Sequence, residues 1–238
     1  MIPRTKTPQN GTAPARHLGV PSDRRARIPL QGPTRRRPDH RFLFEIAADQ
    51  GGYFTARQAH EAGFSKNLIR HHVQRGKFRI LRPRGGIYRL RDFPSGPHEE
   101  LWAALVAAGP EAVISHESAL RLHNLSDVTP RRVDLWIPYE KRWLTPQSVA
   151  RGVKLHVART RLRPDEVTIV DGLRVTTPLR TLLDVAAGDT NPRQVVLALT
   201  QALERQWITV QGLLSAARAR RDRKAAARIE RFVQEARE

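Results

Sequence analysis

The sequence contains no cysteine, and only one methionine occurs among its 238 residues. Without cysteine the chain cannot form disulfide bonds, thiolate zinc sites, iron–sulfur clusters or cysteine nucleophiles. It also has no apolar run of about 18 residues, the length that a membrane-spanning helix needs. The first 30 residues lack the apolar stretch of a secretory signal. We therefore expect neither a membrane span nor a secretory signal, and a cytoplasmic localisation.

Acidic side chains are scarce: the sequence has 23 Asp and Glu residues but 42 Lys and Arg residues, and its formal net charge is +19. The imbalance is uneven along the chain. Residues 42–95 carry 10 basic and 4 acidic side chains, whereas residues 96–190 carry 12 of each. The segments before residue 42 and after residue 190 are basic again. Positive charge concentrated in this way attracts polyanions, and nucleic acid is the commonest polyanion inside cells.

Residues 1–39 are rich in proline and arginine and poor in large apolar side chains. Such a composition cannot bury enough surface to offset the entropy lost on ordering. We therefore expect a disordered basic arm. Either a flexible phosphate-binding tail or a solvated leader without a function of its own is consistent with this composition.

The pattern of residues 40–93 predicts a winged helix-turn-helix. Apolar spacing, capping residues and glycine stops predict helices at about 40–50, 55–62 and 66–75, followed by strands at 78–81 and 87–90. Gly85-Gly86 supplies the conformational freedom that a tight hairpin needs. In proteins with this order of elements, the third helix enters the major groove of DNA and the hairpin lies along the backbone.

The outer face of the third helix carries the candidate DNA-binding residues. Helical spacing turns Leu68, Ile69, His72 and Val73 inward, with His72 expected as a packed helix residue. The candidates are the polar and basic residues of the opposite face and of the hairpin: Ser65, Lys66, Asn67, Arg70, His71, Gln74, Arg75, Lys77, Arg82 and Arg84. No acidic residue occurs between residues 62 and 91.

Two interpretations of this segment remain open. In the first, Ser65 and the polar side chains up to Gln74 face base edges and nearby phosphates, while Lys77, Arg82 and Arg84 hold the phosphate backbone. In the second, the segment is a protein-interaction module whose arginines serve solubility.

The pattern of residues 97–238 predicts an α+β domain. We expect it to mix helices with a small, mainly antiparallel sheet and to end in helices. Helices are expected at 98–108, 115–122 and from 178, and strands at 133–137, 153–157, 167–170 and 173–175. A last helix is predicted by a stripe of apolar residues at helical spacing: Ala225, Ile229, Phe232, Val233 and Ala236. This helix belongs either to the core or to a docking site, and the basic cluster Arg218–Lys224 precedes it.

A catalytic constellation is not evident. His98-Glu99-Glu100 and His116-Glu117 lack a second histidine four residues after the first, which a helical zinc site requires. Asp134 with Glu140-Lys141 superficially resembles a nuclease pattern, but adjacent strand residues point to opposite faces. Ser115-His116 fits a helix cap and its neighbour. We therefore expect no enzyme activity, no metal and no cofactor, with a nuclease-like enzyme as a weaker alternative.

Several short runs, in this order and spacing, resemble the AbiEi-type antitoxins of type IV (AbiE-like) toxin–antitoxin systems. The resemblance covers about residues 42–205. It rests on the runs 51–59 (GGYFTARQA), 63–65 (GFS), 75–78 (RGKF), 85–88 (GGIY), 114–120 (ISHESAL) and 176–184 (TTPLRTLLD).

The resemblance implies a winged-helix domain at 40–93 that represses its own operon. It also implies an antitoxin domain at 97–238 that opposes a nucleotidyltransferase-fold toxin encoded beside it. The expected partners are promoter DNA and the cognate toxin, with direct contact to the toxin left open, and no membrane. Composition and spacing by themselves support only the DNA-binding half.

Overall fold

The helices and the hairpin expected in the N-terminal part are present in the computed structural model, which describes residues 37–82, 85–220 and 223–236. Most of the expected basic arm, together with Arg84, lies outside the described residues. The elements are α1 (His40–Ala48), β1 (Tyr53–Thr55), α2 (Ala56–Glu61), α3 (Lys66–Gln74), β2 (Phe78–Arg82) and β3 (Ile87–Leu90). The three strands form an antiparallel sheet in the order β1-β3-β2.

Side-chain caps fix where these three helices begin. Asp39 accepts a hydrogen bond from the backbone N–H of Phe42 at 2.9 Å. Thr55 and Gln58 bond reciprocally to each other's backbone N–H groups and form a capping box. Ser65 accepts from the N–H of Leu68 at 3.2 Å. Each cap satisfies a backbone donor that has no partner inside its helix.

The second part contains a five-stranded sheet and the remaining helices. Its elements are α4 (Glu99–Ala108), β4 (Val113–Ile114), α5 (His116–Leu122), β5 (Val133–Pro138), α6 (Pro146–Val149), β6 (Val153–Ala158), β7 (Val167–Val170), β8 (Leu173–Thr176), α7 (Pro178–Ala187), α8 (Pro192–Glu204), α9 (Val210–Ala219) and α10 (Arg223–Glu235). The fold is α+β, with helices at the C-terminal end.

The five-stranded sheet is mixed, whereas the sequence pattern predicts mainly antiparallel pairing. Its order is β6-β5-β4-β8-β7. The β4/β5 and β7/β8 pairs are antiparallel, and the β5/β6 and β4/β8 pairs are parallel. β5 and β6 run parallel because a crossover containing α6 joins them. The central strand β4 has only two residues, which is too short to produce an alternation pattern in the sequence.

Two apolar clusters hold the second part together. One lies between the sheet and α4, with Ile114, Leu135 and Val175 fully buried. The other joins α5 to the helices from α7 to α10. The apolar stripe of α10 lies in this second cluster, with Ile229 and Phe232 buried. The last helix is therefore a core helix, the first of the two alternatives left open for it.

The N-terminal elements pack directly on α4. Tyr53 and Ile87 share an apolar cluster with Val106 and Trp102. Gly51 has a φ of +63°, and a Cβ at this position would lie 2.6 Å from the Trp102 ring. Glycine is needed at residue 51 because no other residue tolerates both the left-handed backbone and this close approach.

An ion pair reinforces this contact. Arg89 on β3 is only 5% exposed and bonds to Glu99 of α4 at 3.0 Å. Residues 36–238 form one compact unit.

A largely buried network of charged side chains is centred on α7. The carboxylate of Asp184, whose side chain is 4% exposed, accepts bonds from Arg180 at 2.9 Å and from Arg220 at 2.8 Å. Arg180 also bonds to Glu166 at 2.9 Å. A buried charge is tolerated only when it is paired, because desolvation is expensive. Asp184 and Glu166 together balance the charges of Arg180 and Arg220.

We predict that Asp184→Ala destabilises the protein strongly, because it leaves Arg220 without its carboxylate partner and the buried Arg180 with Glu166 alone. The expected loss in the free energy of unfolding is about 3–5 kcal/mol. Urea denaturation measures it. Asp189→Ala is the matched control, because Asp189 is 85% exposed in its pair with Lys154 and should contribute less than about 1 kcal/mol. Equal losses in the two variants would contradict the buried network.

Candidate nucleic-acid interface

The outer face of α3 is exposed as the sequence pattern predicts. Ser65, Lys66, Asn67, Arg70, His71, Gln74, Arg75 and Lys77 are all exposed. In the described part of the chain, none of the basic residues among them lies within 4.0 Å of a carboxylate. On the neighbouring helix α2, by contrast, Arg57 lies 3.6 Å from Glu61. The positive charge of α3 is therefore left available to a ligand.

Three of these residues line one groove. Lys66, Arg70 and Gln74 follow each other at four-residue spacing and face the β2–β3 hairpin across a groove of about 570 Å³. Apolar side chains lie among the other lining residues, including Ile69, Val73, Ile80 and Tyr88. The groove therefore combines long basic and amide side chains with an apolar surface.

The other predicted residues lie outside this groove. Asn67, His71 and Arg75 form a second row on α3, displaced by one residue from the first, and Lys77 follows in the turn before β2. The side chain of Arg82 and the whole of Arg84 are outside the described part of the structure. How far those two residues extend the basic face stays a prediction.

Ile80 is a groove residue that the sequence analysis did not identify. Strand alternation from the buried Phe78 predicts an inward side chain at residue 80. In the structure Ile80 is 39% exposed and lines the groove. The register of β2 against β3 shifts between Ile80 and Arg82, and such an irregularity re-aims side chains at a sheet edge. A bulge of this kind has no clear signature in the local sequence.

His72 lies on the opposite side of α3 and is 7% exposed. Its ring centroid lies 4.8 Å from that of Phe78 and 5.7 Å from that of Phe64. Neither ring nitrogen has a hydrogen-bond partner among the described residues. Burial, together with the nearby His40, Lys77 and His71, lowers the pKa of His72. The packed position of His72 agrees with the sequence-based expectation.

Of the residues considered for catalysis, Ser115, His116 and Asp134 lie in one cluster with His156, whereas Glu140 and Lys141 have other partners. Asp134 bonds to His156 at 2.7 Å, and Glu140 bonds to Arg161 at 3.0 Å. Lys141 donates to the carbonyl of Ala108 at 3.2 Å. Among the described residues, no group of three or more His, Cys, Asp or Glu is placed to hold a metal ion.

Ser115 precedes α5 but does not cap it through its side chain, contrary to the sequence analysis. The residue is fully buried, and its Oγ lies 3.0 Å from Nδ1 of His116. His116 has a φ of +49° and its ring stacks on that of His156, with 3.4 Å between centroids. The serine hydroxyl is thus engaged by the imidazole and not by the helix.

Burial, together with the neighbouring His156, lowers the pKa of His116 to about 4. His116 is therefore neutral at pH 7, and protonating it in the folded protein is unfavourable.

Two family models match the chain. The AbiEi antitoxin C-terminal domain matches residues 111–235, which is more than half of the sequence. A model described as "Transcriptional regulator, AbiEi antitoxin" matches residues 41–91. The chain belongs to the AbiEi antitoxin family, a class of toxin–antitoxin antitoxins with a regulator role. The resemblance described in the sequence is thereby confirmed.

One solved structure is similar to this chain, and at its low sequence identity the similarity concerns the fold only. The crystal structure of RV2827C protein from Mycobacterium tuberculosis aligns with a TM-score of 0.54 at 18% identity, covering 85% of this chain and 78% of that one. No curated protein matches. Among the described residues, no helix is both long and apolar enough to cross a membrane.

We predict that His116 makes the protein less stable as the pH falls. Its folded pKa is about 4, below the unfolded value of about 6.5, so the unfolded state binds the proton first. The free energy of unfolding should therefore fall by about 3 kcal/mol as the pH is lowered from 6.5 to 4. His116→Asn removes the titrating ring and tolerates a positive φ.

Urea unfolding of both proteins at pH 7 and pH 4 measures this effect. The wild type should lose more stability than the variant on acidification. Indistinguishable pH profiles would show that His116 is not the group responsible.

Proposed function

We propose that residues 40–93 form a winged helix-turn-helix that binds the promoter of its own operon, and that residues 97–238 form an antitoxin domain. The chain thus acts as an autorepressor and as the antitoxin to a nucleotidyltransferase-fold toxin, in a non-enzymatic role. The observation that carries the DNA-binding half is the exposed basic face of α3, which has no ion-pair partner among the described residues and aligns Lys66, Arg70 and Gln74 along one groove.

The side chains in the groove have the chemistry of base readers. Arginine donates two hydrogen bonds to O6 and N7 of guanine, and glutamine pairs with N6 and N7 of adenine. The exposed Ile80 offers apolar contact of the kind that thymine methyl groups accept. A helix whose outer face carries Lys66, Arg70 and Gln74 suits the major groove, which admits an α-helix.

The phosphate backbone is the target proposed for the remaining residues. Lys77, Arg82 and Arg84 belong to the turn and hairpin that flank α3 in sequence, and arginine and lysine neutralise phosphates. The start of α3 adds unpaired backbone N–H groups and the positive end of the helix dipole, which favour an anion near Ser65 and Lys66. Backbone contacts of this kind fix orientation on the duplex without selecting sequence.

The antitoxin half of the proposal rests on the family match to residues 111–235. The toxin and the form of its inhibition come from the resemblance, so the neighbouring reading frame is the first observation to make. A nucleotidyltransferase-fold product encoded there would support this half.

A second candidate is a protein-interaction module that docks the toxin or another partner through the same groove. The exposed Ile80 and the apolar side chains around it favour this alternative, because apolar surface is common at the centre of protein interfaces. The salt dependence of binding distinguishes the two candidates, since binding to phosphates releases counterions.

We predict that Arg70→Ala lowers affinity for the promoter by about 1–3 kcal/mol and relaxes sequence preference, if Arg70 reads guanine. Salt titrations on promoter and scrambled duplexes measure both effects. Arg193→Ala, which removes an exposed arginine of α8, should change neither. Equal losses on the two duplexes would rule out base reading by Arg70.

We predict a different result for Arg84→Ala, which removes a proposed phosphate contact. Affinity should fall alike on every duplex, and the slope of log affinity against log salt should become shallower by about one unit. The same salt titration measures the slope. A loss confined to the promoter would instead make Arg84 a base reader.

A further inference from the structure

A cleft in the second part of the chain is lined by four arginines. Arg121 comes from α5, Arg131 and Arg132 precede β5, and Arg151 belongs to the turn before β6. The cleft has a volume of about 390 Å³, within the range typical of small-molecule sites. It is separate from the α3 groove and shares no lining residue with it.

These four arginines have no carboxylate partner. All four side chains are exposed. In the described part of the chain, none of them lies within 4.0 Å of a carboxylate oxygen. Some of the other arginines of this region are paired. Arg161, Arg163, Arg180, Arg218, Arg220 and Arg231 each form an ion pair. Four like charges left around one concavity raise the local potential and attract an anion.

The arginine-bearing segments are held in place by hydrogen bonds. Ser118 of α5 donates its hydroxyl to the carbonyl of Arg132 at 3.3 Å and accepts from the N–H of Asp134 at 2.9 Å. The N–H of Val133 donates to the carbonyl of Gly152 at 2.7 Å. These bonds tie the segment before β5 to α5 and to the turn that carries Arg151. The cleft is therefore preorganised, which lowers the cost of binding.

The remaining lining residues include two acids, which limit what can fill the cleft. Glu100 of α4 and Asp171 of the β7–β8 turn are among them, and Asp171 bonds to His98 at 3.1 Å. Leu101, Leu122 and two prolines add apolar surface. Acidic groups beside the arginines disfavour a long polyanion. They suit a compact ligand that carries phosphate at one end and hydrogen-bond donors at the other.

We propose that this cleft binds a phosphate ester of nucleotide size, with the phosphate held by Arg121, Arg132 and Arg151. Guanidinium groups bind phosphate through paired, charge-assisted hydrogen bonds. The proposal concerns a ligand site in the second part of the chain and does not depend on DNA binding by α3. The phosphate can come from a free nucleotide or from the end of a nucleic-acid strand.

Isothermal titration calorimetry of the full chain at physiological ionic strength tests the site. The probes are ADP, inorganic pyrophosphate and a 5′-phosphorylated single-stranded trinucleotide. Arg121→Ala and Arg151→Ala each remove one arginine from a different element. We expect each to weaken binding about ten-fold or more, as the loss of a charge-assisted bond implies. Arg193→Ala is the control and should bind as the wild type does, and Arg70→Ala shows whether any observed binding belongs to the α3 groove instead.

The three probes distinguish the sources of phosphate. Binding of ADP or pyrophosphate that both cleft variants weaken supports a free nucleotide, and the same pattern with the trinucleotide alone supports a strand end. Absence of binding by every probe, or binding that Arg70→Ala weakens and the cleft variants do not, overturns the proposal.

Arg121→Lys is a further variant, which keeps the charge and loses the planar fork. It should bind more weakly than the wild type and more tightly than Arg121→Ala. Unchanged thermal unfolding of the variants shows that an altered affinity does not come from a loss of fold.

Discussion

Positive charge left without a counter-charge is the constraint on which the proposed DNA-binding function depends. Residues 62–91 contain no acid, so Lys66, Arg70 and Arg75 have no carboxylate in their own segment to pair with. Some arginines elsewhere are paired, as Arg180 and Arg220 are with Asp184. An unpaired cationic face is costly unless a ligand supplies the negative charge.

The packing beneath that face keeps it in position. His72 lies neutral among Phe64 and Phe78 on the buried side of α3, and the Ser65 cap sets the first turn of the helix. Gly51 allows the N-terminal elements to approach Trp102 closely, and Arg89 joins them to α4 through Glu99. The basic face is thus built on rigid elements, which is what precise recognition of a duplex requires.

Local features of the fold could be predicted from the sequence, whereas features set by distant contacts could not. The starts of α1, α2 and α3 follow from Asp39, Thr55 and Ser65, since a cap acts within three residues of its own position. The exposed residues of α3 follow from helical spacing in the same way.

Strand β4 and the parallel pairing of β5 with β6 escaped the sequence analysis because pairing partners are separated along the chain. The exposure of Ile80 depends on a shifted register against β3, and the contact of Ser115 with His116 depends on the positive φ of His116, neither of which has a local sequence signature. The arginine cleft brings together residues as far apart as Arg121 and Arg151, and no sequence motif connects them.

Methylation interference on the promoter duplex tests the central claim most directly, because dimethyl sulfate modifies N7 of guanine in the major groove. If α3 lies in that groove and reads bases, methylation of particular guanines in the promoter should prevent binding, and other guanines should tolerate it. Binding that is indifferent to methylation at every guanine, or the absence of any promoter complex, would contradict recognition by the outer face of α3.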